Sequence, residues 1–232
     1  MTNFSAAPVL IVPGYQGSEE AHWQQWLHRQ WPHSRLLTGV DWDKPVLANW
    51  AERIRDEIAR AREPLWIVAH SFGCLASVVA AADRPQSVAA LVLVAPADPA
   101  RFNLLGLGSA EDRRLEVHTL ADVLPGTALD VPGLVLASSD DPWMSETAAQ
   151  AWAGRWQLDL QSIGAAGHIN AESGFGPWPD LLQRLADWQT QSAHEASVIP
   201  GIHHRMPRGR GSLLAHVRRH TRRQLDILNV AI

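Results

Sequence analysis

Apolar residues fall along this chain in two alternating rhythms. Short unbroken runs, at Pro8 to Pro13, Leu65 to Ala69, Val88 to Val94 and Leu134 to Ala137, read as strands buried on both faces. Between them apolar residues recur every three or four positions, the period of an amphipathic helix. Trp23, Trp26, Leu27 and Trp31 form one such stripe, on a helix expected to open at Ser18 or Glu19. Leu47, Trp50, Ile54 and Ile58 form the next, after a proline suited to a helix start, with Arg53, Arg55, Asp56 and Glu57 expected mostly outward. Further helices are predicted from Cys74 to Ala82, from about Ser145 to Arg155 and from Pro177 to Gln191. Ser34 to Leu37 reads as an edge strand and Gln157 to Ile163 as a weaker one. The stretch from Asp98 to Pro132 is mixed, with a short helix near Leu120, and suits a small cap better than a lid domain. Strands alternating with helices predict an α/β fold, a mostly parallel sheet with helices on both faces. Ligands of such sheets bind at the carboxyl ends of the strands.

Composition changes this picture little. At 232 residues and 46% hydrophobic content the chain suits one α/β domain, expected over residues 1–194. The net charge of −4 conceals an asymmetry: residues 1–194 carry −9, and residues 195–232 carry +5 from seven arginines and two acids. The last segment therefore reads as a basic extension, mobile or partly helical, without a dedicated ligand, its arginines offering nucleic acid or anionic lipid as the alternative; nucleic acid and membrane are otherwise not expected partners. The single cysteine, Cys74, cannot form an intrachain disulfide, and the first residues lack the pattern of a signal peptide, so a cytoplasmic protein is expected. Eleven tryptophans are many for this length, and most sit at helical spacing, where core packing explains them. Oligomeric state is not legible.

The candidate chemistry centres on Ala69-His70-Ser71-Phe72-Gly73, between the second apolar run and the small-residue helix. This is a near match to the G-x-S-x-G elbow, a sharp strand-to-helix turn that exposes a serine hydroxyl at the end of a sheet. Alanine replaces the first glycine and is still small enough for strand and helix to pass closely. A serine hydroxyl needs a base to take its proton and an acid to fix the tautomer of that base. His168, in a loop after the last predicted strand and beside Gly167, is the candidate base. For the acid, Asp141 is preferred because Pro142 restricts its backbone; Asp140, which would otherwise cap the turn or the next helix, and Asp98, one strand earlier, are the alternatives. A tetrahedral oxyanion needs backbone donors. The Phe72 N–H at the start of the elbow helix is one candidate, and Tyr15, or else Gln16, in the loop Gly14-Tyr15-Gln16-Gly17 is the other. No phosphate-binding glycine pattern and no zincin spacing is present, so no cofactor and no metal are expected. Cys74 reads as a small buried residue.

Four ordered segments together resemble a known family. They are Val12 to Ser18 with His22-Trp23, Ala69 to Gly73, Ser138 to Pro142, and Gly167-His168-Ile169-Asn170 followed by Ser173 to Gly176. These resemble the small serine hydrolases of the YdeN and retinoblastoma-binding protein nine type, over roughly residues 8–190. The resemblance implies a compact α/β-hydrolase fold without a large lid, a triad of Ser71, Asp141 and His168, and Asp141 rather than Asp140 as the acid because the family's acid directly precedes proline. It leaves the substrate open. The expected function is a serine hydrolase cleaving small carboxylic esters through an acyl-enzyme. The alternatives are a serine peptidase acting on small amides, or a non-catalytic binding or regulatory protein on the same scaffold.

Overall fold

The computed structural model describes residues 7–109, 111–112 and 118–198. Six strands form one sheet in the order β2-β1-β3-β4-β7-β8: β1 (Val9–Val12), β2 (Ser34–Leu36), β3 (Leu65–His70), β4 (Val88–Val94), β7 (Gly133–Ala137) and β8 (Asp159–Ser162). Every pairing in it is parallel. The four apolar runs are its four inner strands. All of β1, β3 and β7 is buried, which is why they carry no alternation of polar and apolar residues. A two-stranded hairpin, β5 (Phe102–Asn103) and β6 (Gly106–Leu107), stands apart in the 98–132 segment. Among its described residues this segment also has two short 3-10 turns, Pro99–Arg101 and Leu120–Asp122.

The helices are α1 (Trp23–Gln30), α2 (Leu47–Arg60), α3 (Phe72–Asp83), α4 (Glu146–Trp156) and α5 (Pro179–Val198). Right-handed crossovers put α2, α3 and α4 on one face of the sheet and α1 on the other, because the strand order runs outward in opposite directions from β1 and β3. In such sheets ligands bind beyond the carboxyl ends of the strands at this reversal, here between β1 and β3. Helix α3 is nearly all buried small residues, and its Phe72 meets Trp50 of α2 edge-on at 5.0 Å between ring centroids.

Two local expectations need correction. Helix α1 starts at Trp23, four to five residues later than expected, because the His22 ring caps it: Nδ1 accepts the Gln24 N–H at 3.2 Å. Ser18 does not cap; its hydroxyl donates to the Gln24 side chain, whose amide in turn donates to the Val12 carbonyl and ties α1 to the end of β1. Glu57 does not point outward. It is 9% exposed and is held by Arg53 at 2.6 Å and Arg60 at 3.2 Å, the pairing a carboxylate needs when it leaves water. The stripe Leu47, Trp50, Ile54 and Ile58 does face the core.

The chain forms two compact units, Met1–Ala186 and Asp187–Ile232. The first contains the whole sheet. The second is described as far as Val198, where α5 ends. The arginine-rich extension beyond residue 198 lies outside the described residues. Among the described residues no helix is long and apolar enough to cross a membrane.

Candidate active site

Strand β3 delivers Ser71 at its carboxyl end in a conformation that L-residues avoid, φ 53° and ψ −126°. Two bonds hold it there: the Ser71 N–H donates to Val94 O at 3.1 Å, and Ser71 O accepts the Cys74 N–H at 3.0 Å. Strain of this kind costs on the order of 1–3 kcal/mol and turns the hydroxyl out of the sheet before α3 begins. The turn needs small neighbours, but unequally. A Cβ on Gly73 would stand 2.3 Å from Pro13 O, so that glycine is obligatory, whereas Ala69 fits fully buried in the strand. Gly14 packs on the serine itself, where a Cβ would lie 2.7 Å from Ser71 Cβ.

The Ser71 hydroxyl is 2.8 Å from His168 Nε2. On the other side of the ring, Nδ1 is 2.9 and 3.0 Å from the two carboxylate oxygens of Asp141. The carboxylate can only accept, so Nδ1 carries the proton and the bare Nε2 accepts the Ser71 O–H. The Asp141 side chain is 3% exposed and takes a second bond from the Trp143 N–H at 2.8 Å. The Trp143 ring lies 5.9 Å from that of His168, and Arg101 covers its outer side at 5.0 Å.

The other two acids are elsewhere. Asp98 caps the short turn Pro99–Arg101 by accepting the Ala100 N–H at 2.9 Å. Asp140 caps no helix, since α4 is capped by Ser145. It accepts the Ser138 hydroxyl at 2.7 Å and, across 27 residues, the Gly167 N–H at 2.8 Å. Those two bonds, the Ser138 hydroxyl first, hold its carboxyl below the usual carboxylate range.

Two candidate oxyanion donors differ in what they already bond. The Gln16 N–H is spent on the Trp42 carbonyl at 2.9 Å. Gly17 N–H closes a turn onto Gly14 O at 2.9 Å, with Gln16 at φ 67°. A positive φ at the third residue alone makes this a type II turn, with Tyr15 as its second residue. Among the described residues no acceptor takes the Tyr15 N–H, and its loop is the one whose Gly14 touches Ser71. Phe72, the first residue of α3, belongs to the turn of a helix whose N–H groups have no intrahelical acceptor.

Two buried histidines lie beside the site, in places that the motifs containing them do not indicate. His22 and His70 are 2% and 4% exposed, with ring centroids 4.9 Å apart, and His70 lies 4.8 Å from His168. Burial, then the nearby His168, lowers the His22 pKa to about 4 and moves that of His70 well below its usual value. The adjacency of His70 to Ser71 was the available signal. Cys74 is fully buried, its thiol pushed well up by burial, with Sγ 3.5 Å from Val94 O. Among the described residues no three His, Cys, Asp or Glu side chains are arranged to hold a metal ion.

Residues 9–187 match the family described as Serine hydrolase. A YdeN-like hydrolase from Pectobacterium atrosepticum is 36% identical and superposes with a TM-score of 0.68, over 80% of this chain and 92% of that one. The ydeN gene product of B. subtilis, 20% identical, gives 0.61 over 80% and 100%. Est1E from Butyrivibrio proteoclasticus, solved with ferulic acid, is 15% identical and gives 0.58 over 85% and 92%, a likeness of fold. No curated protein matches the sequence.

Proposed function

The chain belongs to the serine hydrolase family, and from that premise we propose that it cleaves small carboxylic esters through an acyl-enzyme on Ser71, with His168 as base and Asp141 as orienting acid. The observation that carries this reading is the continuous hydrogen-bonded run from the Ser71 hydroxyl through both ring nitrogens of His168 to Asp141. In this order each group corrects a weakness of the one before. The hydroxyl loses its proton to Nε2 as it attacks the ester carbonyl, and the carboxylate stabilises the imidazolium that forms. His168 then gives the proton to the departing alkoxide. Water repeats the sequence in reverse on the acyl-enzyme, releasing the acid and restoring Ser71.

The N–H groups of Phe72 and Tyr15 are the proposed oxyanion donors. Each is worth about 3 kcal/mol of transition-state stabilisation where such donors have been removed from other enzymes. The commitment of Gln16 to Trp42 favours Tyr15 over its neighbour. Phe102 packs on Phe72 at 4.9 Å between ring centroids, so the hairpin that begins at Phe102 borders the elbow and is the proposed source of chain-length preference.

A series of p-nitrophenyl esters of increasing acyl length, run beside aminoacyl amides, tests the reading. Turnover of short esters exceeding that of every amide supports an esterase. Amide turnover above ester turnover assigns a peptidase, and turnover of neither, in folded protein, removes the catalytic reading.

A further inference from the structure

The loop that carries His168 is irregular, and it is held by side chains that lie outside the triad. Ile169, fully buried, takes φ 48°. A β-branched residue in the left-handed region is strained and persists only where its surroundings over-determine it. Two buried donors grip the backbone at this point. His70 Nε2 lies 2.9 Å from the His168 carbonyl, and Trp23 Nε1 donates to the Ile169 carbonyl at 2.8 Å. The two come from different elements, the end of β3 and the start of α1, and their rings meet edge-to-face at 6.0 Å. His22 packs against both, at 4.9 and 5.4 Å. The Trp23 main-chain N–H adds a third bond to the same loop, to Phe175 O at 3.1 Å.

We propose that His70 and Trp23 are positioning residues for the base, a two-point clamp on the consecutive carbonyls of His168 and Ile169 that keeps Nε2 within reach of the Ser71 hydroxyl. A carbonyl only accepts, so His70 must be the Nε2–H tautomer and must stay uncharged beside a ring that becomes imidazolium. Burial of His22 and His70 keeps both neutral near neutral pH. The residue immediately before the nucleophile thus touches the base through its backbone, which couples the two loops that must meet. Its catalytic consequence rests on the proposed esterase reading.

The test compares His70→Phe and Trp23→Phe, which keep an aromatic ring and remove the donor, with His70→Gln, whose amide restores an N–H at the same reach. All are assayed below their melting midpoints. One readout is independent of turnover: the low-field proton resonance of His168 Nδ1–H against Asp141, assigned by its loss in Asp141→Asn. It should weaken in both Phe variants and persist in His70→Gln. The second readout is ester kinetics, in which kcat should fall about 10- to 100-fold in the Phe variants with KM little changed, the scale of a 1 Å misplacement. The Gln variant should recover most of kcat. An unchanged resonance or unchanged kcat in both Phe variants, or a Gln variant as impaired as His70→Phe, overturns the proposal. A wild-type protein with no turnover but the expected pattern of resonances would instead defeat the esterase reading and leave the clamp standing.

Discussion

The Asp140 carboxylate accepts the Gly167 N–H at 2.8 Å, which ties the loop bearing Asp141 to the loop bearing His168. Neighbouring acids therefore have separate tasks, one on the imidazole and one on the backbone just before it. Asp141→Asn should cost about 10⁴ in kcat, because an amide cannot hold the required tautomer. Asp140→Ala should cost only about tenfold, through slack in the loop. Steady-state ester kinetics of the two variants, with KM as the control for substrate binding, checks the ranking.

The type II turn at Gly14–Gly17 allows removal of one proposed oxyanion donor. Proline suits its second position, so Tyr15→Pro deletes an N–H without opposing the backbone. It should lower kcat by about 10²–10³, whereas Tyr15→Ala, which loses the same half-buried ring and keeps the N–H, should lower the unfolding midpoint at least as much and spare most of kcat. Gln16→Pro opposes a φ of 67° and breaks the bond to Trp42, so it should lower the midpoint as well. Paired melts and kinetics separate the two effects.

The departure from the glycine pattern at Ala69 has a measurable counterpart. Gly73→Ala forces a Cβ against the Pro13 carbonyl and should destabilise the protein by about 3 kcal/mol or more, read from denaturant midpoints. Ala69→Gly should cost less, about 1–2 kcal/mol, since it removes a buried methyl and adds freedom to the unfolded strand without a clash. Ser71→Gly should be about 1 kcal/mol more stable than Ser71→Ala, because only glycine accepts the elbow's positive φ without strain.

Acid should weaken the fold through His22. Its folded pKa of about 4 lies below the unfolded value of 6.5, so the unfolded chain takes up the proton first. Stability is thus full above about pH 6.5 and is lost as pH falls toward 4, by about 3 kcal/mol for this one group. His22→Asn keeps a capping side chain and cannot titrate. It should flatten the fall in melting temperature between pH 7 and 4, and an unchanged slope would count against the assignment.

Much of the architecture was legible because burial on both faces writes itself into sequence as unbroken apolar runs. Val88 to Val94 is strand β4 as read, and Ser145 caps the helix expected to start there. Helix α1 was misplaced because histidine is an unusual cap, and its competence here depends on a ring buried by residues far along the chain. Glu57 was misread for a similar reason: three arginines, one of them on β2, surround a position whose spacing alone says surface. At the site, Ser71, His168 and Asp141 stood out because each follows a strand at the same edge of the sheet. His70 and Trp23 did not, because a side chain bonded to a distant main-chain carbonyl leaves no spacing to read.

The central claim, that Ser71 is a nucleophile activated by His168, is tested most directly by reaction with a fluorophosphonate and intact-mass analysis. One adduct per chain is predicted, located by peptide mapping to Ser71, absent from Ser71→Ala and strongly slowed in His168→Ala. No adduct on folded wild-type protein, or an equal adduct on Ser71→Ala, would contradict it.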